Sequence, residues 1–226
     1  MRLLRIENID LNVFEFDWDL TWATFFMNAS GKVYARYGGR DGKGPDTRNT
    51  LEGLRYTMQA VLTEHRKDPA AKPEAPAEKP LYINQVPAAK SYRGCIHCHQ
   101  VKEILRQEAI NTGTWNRESI YTYPLPENLG ITLDLVRGNQ VKQVKPASLA
   151  DKAGVKPGDV LRTLNGRPIY SFADAQYALH KAPYEGKISL AWTRDGNPLN
   201  STLAVGPGWR RTNVTWRPSL LDLLPS

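Results

Sequence analysis

Apolar positions recur along this chain with different periods, and the changes of period divide it. Trp22-Ala23-Thr24-Phe25-Phe26-Met27 is rich in the aromatic residues that suit a pleated surface and predicts a strand. Asn28-Ala29-Ser30-Gly31 supplies a tight turn, and Lys32 to Tyr37 predicts the antiparallel return. An earlier strand is predicted over Arg2 to Ile6. From about Thr50 to Arg66 the period becomes helical: Leu51, Leu54, Met58, Val61 and Leu62 share one face. Asn49, with Glu52 three residues on, offers a start resembling a capping box.

Periodicity then lapses. Asp68 to Lys90 carries Pro69, Pro73, Pro76, Pro80 and Pro87 among Ala, Glu and Lys, which predicts an extended, weakly packed linker held down only at Tyr82-Ile83. After Gly94 a helical pattern returns in Val101, Ile104, Leu105 and Ile110, reaching about Asn111 with Gly113 as a stop. Beyond Asn128 the chain reads as short strands. Thr132 to Val136 and Gln140 to Val144 flank a turn at Arg137-Gly138-Asn139, Asn165-Gly166 makes a second turn, and a final hairpin pivots on Asp195-Gly196. A helix is predicted from Phe172 to Lys181.

The pattern predicts an α+β, multidomain chain: residues 1–67, a Pro/Ala-rich linker at 68–90, a helical segment at 91–123, a β-rich unit at 124–205 and an irregular tail at 206–226. A length of 226 residues allows this division. The formal net charge of +7 and a pI near 9.4 favour acidic partners. Basic residues are scattered rather than clustered, so nucleic acid is not expected as a partner. The longest apolar run, Trp22 to Met27, is far short of the ~20 residues of a membrane-spanning helix. Trp209 and Trp216 with Arg210, Arg211 and Arg217 suggest a tail draped over a partner surface.

Candidate chemistry concentrates at Cys95-Ile96-His97-Cys98-His99, which holds both cysteines of the chain. In the order C-x-x-C-H, two thiols can add to the vinyl groups of a haem while the following histidine ligates its iron. The motif resembles the haem attachment site of c-type cytochromes. That resemblance implies one covalent haem c held by Cys95, Cys98 and His99, with His99 as axial ligand. Candidates for the distal ligand are His180, then His65, then Met58, and an open coordination position is equally allowed. The helical segment is too short to enclose a haem alone, so the group would lie at a junction between units or at a homodimer interface. Two other readings stand beside this one: a Cys95–Cys98 disulfide in a non-redox scaffold, and a zinc site using Cys95, Cys98 and His97 or His99, which lacks an evident fourth ligand. Haem attachment occurs outside the cytoplasmic membrane, which implies an extracytoplasmic chain whose leader is absent from this sequence.

Two further resemblances complete the expectation. The order strand, strand, hairpin, strand, helix over residues 1–66, with Phe25 to Val33 at its centre, resembles the C-terminal half of the thioredoxin fold. The family's redox cysteines would precede Met1 and no cis-proline counterpart stands at Leu20-Thr21, so no thiol chemistry is carried over, and the missing half suggests a truncated N-terminus. Ala153-Gly154-Val155-Lys156-Pro157-Gly158-Asp159-Val160-Leu161, with Asn165-Gly166, is similar to the PDZ domains of bacterial periplasmic HtrA-type proteases, over about Leu125 to Val205. This implies a PDZ-like barrel with two helices. It also implies a carboxylate-binding loop at Leu129, Gly130 and Ile131, with Asn128 replacing the family's first glycine. A loop of backbone N–H groups and an exposed edge strand can hold the C-terminus of an extended peptide. No G-x-S-x-G elbow or room for a protease barrel accompanies it, so no catalytic residue is assigned. The main expectation is therefore an extracytoplasmic haem protein for electron transfer or sensing, serving a redox partner and using its PDZ unit to dock. The alternative is a peptide-binding scaffold.

Overall fold

The computed structural model describes residues 6–73 and 79–223. The strand expected at Arg2 to Ile6 falls almost wholly outside them, as does Pro76 of the linker.

The N-terminal part holds a two-stranded antiparallel sheet, β1 (Thr24–Met27) and β2 (Val33–Tyr37), followed by the helix α1 (Leu51–Lys67). Thr50, not Asn49, caps α1: its side chain accepts from the Gly53 amide at 2.9 Å. The buried face also differs from the apolar stripe in sequence. Gly53, Thr57 and Val61 are buried, whereas Leu51, Met58 and Leu62 are exposed at 58%, 50% and 46%. Gly53 permits this approach, because a Cβ there would lie 2.7 Å from both the Leu135 carbonyl oxygen and the Tyr37 hydroxyl. The Thr57 hydroxyl bonds back to the Gly53 carbonyl, so its polar group is satisfied inside.

The linker corrects a second expectation. Leu81 lies on the edge of a small core, and the 3₁₀ turns Ile83–Gln85 and Pro87–Ser91 enter it, burying Ile83, Val86, Ala88 and Ala89. Their neighbours are Leu11, Trp18, and Val101 and Ile104 of α2 (Cys98–Asn111). Proline here fixes φ for tight turns rather than keeping the chain extended.

The C-terminal unit has a four-stranded antiparallel sheet in the order β6 (Arg167–Pro168), β5 (Val160–Leu164), β7 (Gly186–Arg194) and β8 (Asn197–Val205). A second sheet pairs β3 (Ile131–Leu133) with β4 (Val141–Val144). The short helix α3 (Leu149–Lys152) and the helix α4 (Phe172–His180) close the ends. Asn165 and Gly166 have φ of 49° and 74°, and Asp195 and Gly196 have 51° and 81°, the left-handed pairs that tight hairpins require. Ile188 and Leu190 alternate inward on β7, and a bulge after Leu161 lets both Leu161 and Leu164 of β5 join them, all at most 1% exposed. Burying each such side chain contributes about 1.5–3 kcal/mol.

The units are bound together by polar contacts. The β2 backbone docks on the start of α4, the Arg36 amide donating to Asp174 at 2.7 Å and the Ser171 hydroxyl donating to the Arg36 carbonyl. The tail packs on its own chain. Arg210 donates to the carbonyls of Leu179, His180 and Ala182 at the end of α4, and Arg217 is buried between Asp17 and Asp19.

Candidate functional site

The loop before β3 is shaped by one residue. Gly130 has φ +90°, and a Cβ there would come within 2.2 Å of Ser148, so no side chain fits without displacing α3's cap. Asn128, standing where a glycine was expected, turns its side chain to the tail and donates to the Trp209 carbonyl at 2.9 Å. Ile131 lies opposite Val144, and Lys145 donates to Gly130 O while Asp134 donates to Gln140 O. Even-numbered residues of this strand therefore turn their backbone to β4. The N–H and C=O groups of Ile131 and Leu133 face the other edge. The loop and the outer edge of β3 are the parts expected to hold a peptide, and both are buried, with Leu129 and Ile131 0% exposed and Leu133 2%.

Asp174, at the start of α4, is buried, and burial pushes its carboxyl up to about 6 against the opposing bonds from the Arg36 and Tyr170 amides and the Ser171 hydroxyl. Burial also pulls the His180 imidazole down, with Glu15 opposing.

The residues around C-x-x-C-H lie elsewhere. His97 is the exposed N-cap of α2, its backbone amide donating to Gln100. Cys95 is exposed, Cys98 is partly buried, and both thiols are free. Burial pushes the Cys98 thiol up. His99 Nδ1 pairs with Glu103 at 2.8 Å. Beside Cys98 opens a cleft of about 1410 Å³ lined by Phe14, Phe16, Trp22 and Phe25, with Met58 and His65 on its wall.

This cleft is roomy and apolar enough for a porphyrin, but the ligands expected for one are only partly gathered. Neither Cys95 nor His99 lines it. His65 Nδ1 is 3.0 Å from the Tyr34 hydroxyl. His180, the first distal candidate, faces a separate cavity of about 280 Å³, stacked on Tyr123 and 3.4 Å from Glu15. Among the described residues no three His, Cys, Asp or Glu are grouped to hold a metal ion.

Known proteins resemble the C-terminal unit. A family model described as PDZ domain matches residues 140–194. This part of the chain is a PDZ domain. It is 45% identical over 73 residues to the periplasmic serine endoprotease DegP of Escherichia coli K12, covering 32% of this chain and 15% of that protein. The pH-dependent endoprotease DegQ of the same organism is 42% identical over 67 residues, covering 30% and 15%. MamE of Magnetospirillum gryphiswaldense, a magnetosome formation protease, is 30% identical over 98 residues, covering 42% and 13%. Among solved structures, the HtrA3 PDZ domain bound to a phage-derived ligand is 28% identical, covering 30% of this chain and 66% of that one, with a TM-score of 0.26. A serine endoprotease from Yersinia pestis is 21% identical, covering 44% and 34%, with a TM-score of 0.34.

The chain thus spans only about 15% of the length of DegP and of DegQ. The expectation of a haem protein for electron transfer or sensing is overturned. Its relatives are PDZ-bearing periplasmic proteases, and they favour the alternative of a peptide-binding PDZ scaffold. Among the described residues no helix is long and apolar enough to cross a membrane.

Proposed function

We propose that this chain is an extracytoplasmic peptide-binding adaptor whose PDZ domain takes the C-terminus of an extended partner. The observation that carries this reading is the alignment of the Leu129-Gly130-Ile131 loop with the free edge of β3 and the flank of α4. Backbone N–H groups of the loop receive the terminal carboxylate. The N–H and C=O groups of Ile131 and Leu133 pair with the peptide as an added strand. The side chain of the last residue enters the apolar floor formed with α4. Charge-assisted bonds to the carboxylate make a free terminus the recognised feature. The periplasmic location of DegP and DegQ supports the assignment outside the cytoplasm. Residues 6–123 and the tail act as a scaffold that holds the domain in place.

Titration of the full chain with fluorescent peptides ending in an apolar residue tests this. Peptides with a free C-terminus should bind, and their C-terminal amides should bind at least tenfold more weakly. Equal binding of acid and amide would sink the assignment.

A further inference from the structure

We propose that the PDZ groove is closed by the chain itself, with Arg48 as the latch and Tyr123 as the filling, so that a peptide enters only by displacing them. This rests on the reading of the groove as a peptide site and adds its regulation.

The groove-lining residues are shut away from solvent. Leu129 and Ile131 are 0% exposed, Leu133 is 2% and Gln176 is 1%, although Ile131 and Leu133 carry the unpaired edge of β3. On α4, Phe172, Gln176 and His180 are spaced four apart and share one flank of the helix. Each of the three is covered by a segment from outside the 140–194 match. The Arg48 guanidinium lies 4.5 Å over the Phe172 ring, and Gly39 packs on the same ring. Gln176 donates from Nε2 to the Tyr123 carbonyl at 3.1 Å. The Tyr123 ring stacks on His180 at 4.2 Å and 16°.

Arg48 spans the entrance. While stacked on Phe172 at the start of α4, it donates to Glu127, just ahead of the carboxylate loop, at 2.7 Å, and to Asp41 at 2.9 Å. One guanidinium thus ties both sides of the groove to the segment between β2 and α1. At the far end of the edge, the Thr50 hydroxyl approaches the Leu135 carbonyl at 3.5 Å, so the cap of α1 stands where a longer peptide would run. Tyr123 is held at φ +49°, a backbone conformation that a tyrosine adopts only when its surroundings impose it. A filling kept in that conformation regains freedom when displaced.

The test uses the full chain, its Arg48→Ala variant and its Glu127→Gln variant, which cuts the same ion pair from the other side. Binding of fluorescein-labelled Phe-Gly-Arg-Trp-Val with a free C-terminus is followed by anisotropy, and exchange of the Ile131 and Leu133 amides by mass spectrometry or NMR. Both variants should bind at least tenfold more tightly than the parent, and these two amides should be protected in the parent and exchange faster in the variants. Equal affinity in all three proteins, or fast exchange of both amides in the parent, overturns the closure while leaving peptide binding in place. Protected amides that are released in the variants, with no peptide bound by any of the three, uphold the closure and refute the peptide reading instead.

Discussion

Asp17 and Arg217 stand 200 residues apart in sequence and meet at 2.7 Å, with side chains only 2% and 1% exposed. Arg217 also reaches Asp19 at 2.9 Å, Lys102 of α2 donates to both carboxylates, and Ser219 donates to Asp19 through its amide and its hydroxyl. Four distant segments of the chain are joined by this cluster, since Arg217 and Lys102 also bond to Thr122. Removing Arg217 as Arg217→Met leaves two buried carboxylates facing one lysine. The expected loss is about 3–5 kcal/mol, because the unpaired charge stays buried. Urea unfolding of the variant checks this, and a change under 1 kcal/mol would show that the cluster is dispensable.

The same cluster sets an acid limit. Burial alone would raise the carboxyls of Asp17 and Asp19, but Lys102 and Arg217 outweigh it and hold both below the ordinary aspartate value of 3.8. A carboxyl depressed in the fold stabilises it above its unfolded value, and that stabilisation is lost as pH falls through the lower, folded one. Stability should therefore drop as pH falls below about 3.8, with a smaller drop in Arg217→Met. Parallel acid titrations of the two proteins, followed by tryptophan fluorescence, would reveal the difference.

Asp174 runs the other way. Its carboxyl is pushed up to about 6 from 3.8, so between those values the folded chain holds a proton that the unfolded chain has released. Its contribution to stability falls as pH rises through that window and is constant above it. The Asp174 carboxyl resonance should titrate with a midpoint near 6, and a midpoint near 4 would contradict the burial argument.

Gly130→Ala places a methyl group within 2.2 Å of Ser148 at a φ of +90°. Strain and overpacking together should cost about 1–3 kcal/mol and abolish peptide binding. The double variant with Ser148→Gly should recover part of the stability, because it removes the clash and leaves the backbone strain. Thermal melts of both variants give the comparison, and an unchanged melting temperature in Gly130→Ala would disprove the packing.

Cys95 is exposed, and Cys98 is partly buried with its thiol pushed up by burial. Since the thiolate is the reactive form, iodoacetamide at pH 8 should label Cys95 several-fold faster than Cys98. Peptide mass mapping reads the ratio, and equal labelling or none would run against it.

The β-rich unit was the most legible part of the sequence. Asn165-Gly166, Asp195-Gly196 and Gly130 each require a backbone that few other residues adopt, so local chemistry alone locates the turns and the loop. The face of α1 was misread because small Gly53 and self-bonded Thr57 bury better against Tyr37 and Leu135 than the exposed Leu51 does. The linker was misread because proline composition does not distinguish an extended chain from a pair of 3₁₀ turns folded around Ile83. At C-x-x-C-H, spacing shows which residues could share a ligand but not where the surrounding chain turns them. His99 faces Glu103, and His180 lies in another cavity.

The groove divides the same way. By itself the sequence located the turn at Gly130 and the helix from Phe172, and it placed a strand at Thr132 to Val136 where the structure has Ile131–Leu133, because these depend on residues near one another and on backbone conformations that particular side chains forbid. Only the tertiary structure decided what lies over it. Arg48 and Tyr123 have no local signal tying them to Phe172, Gln176 and His180, and no period in the sequence links Asp17 to Arg217. Those contacts exist because burial brings remote segments together, and a buried charge or open hydrogen-bonding edge must then find its partner wherever the fold supplies one.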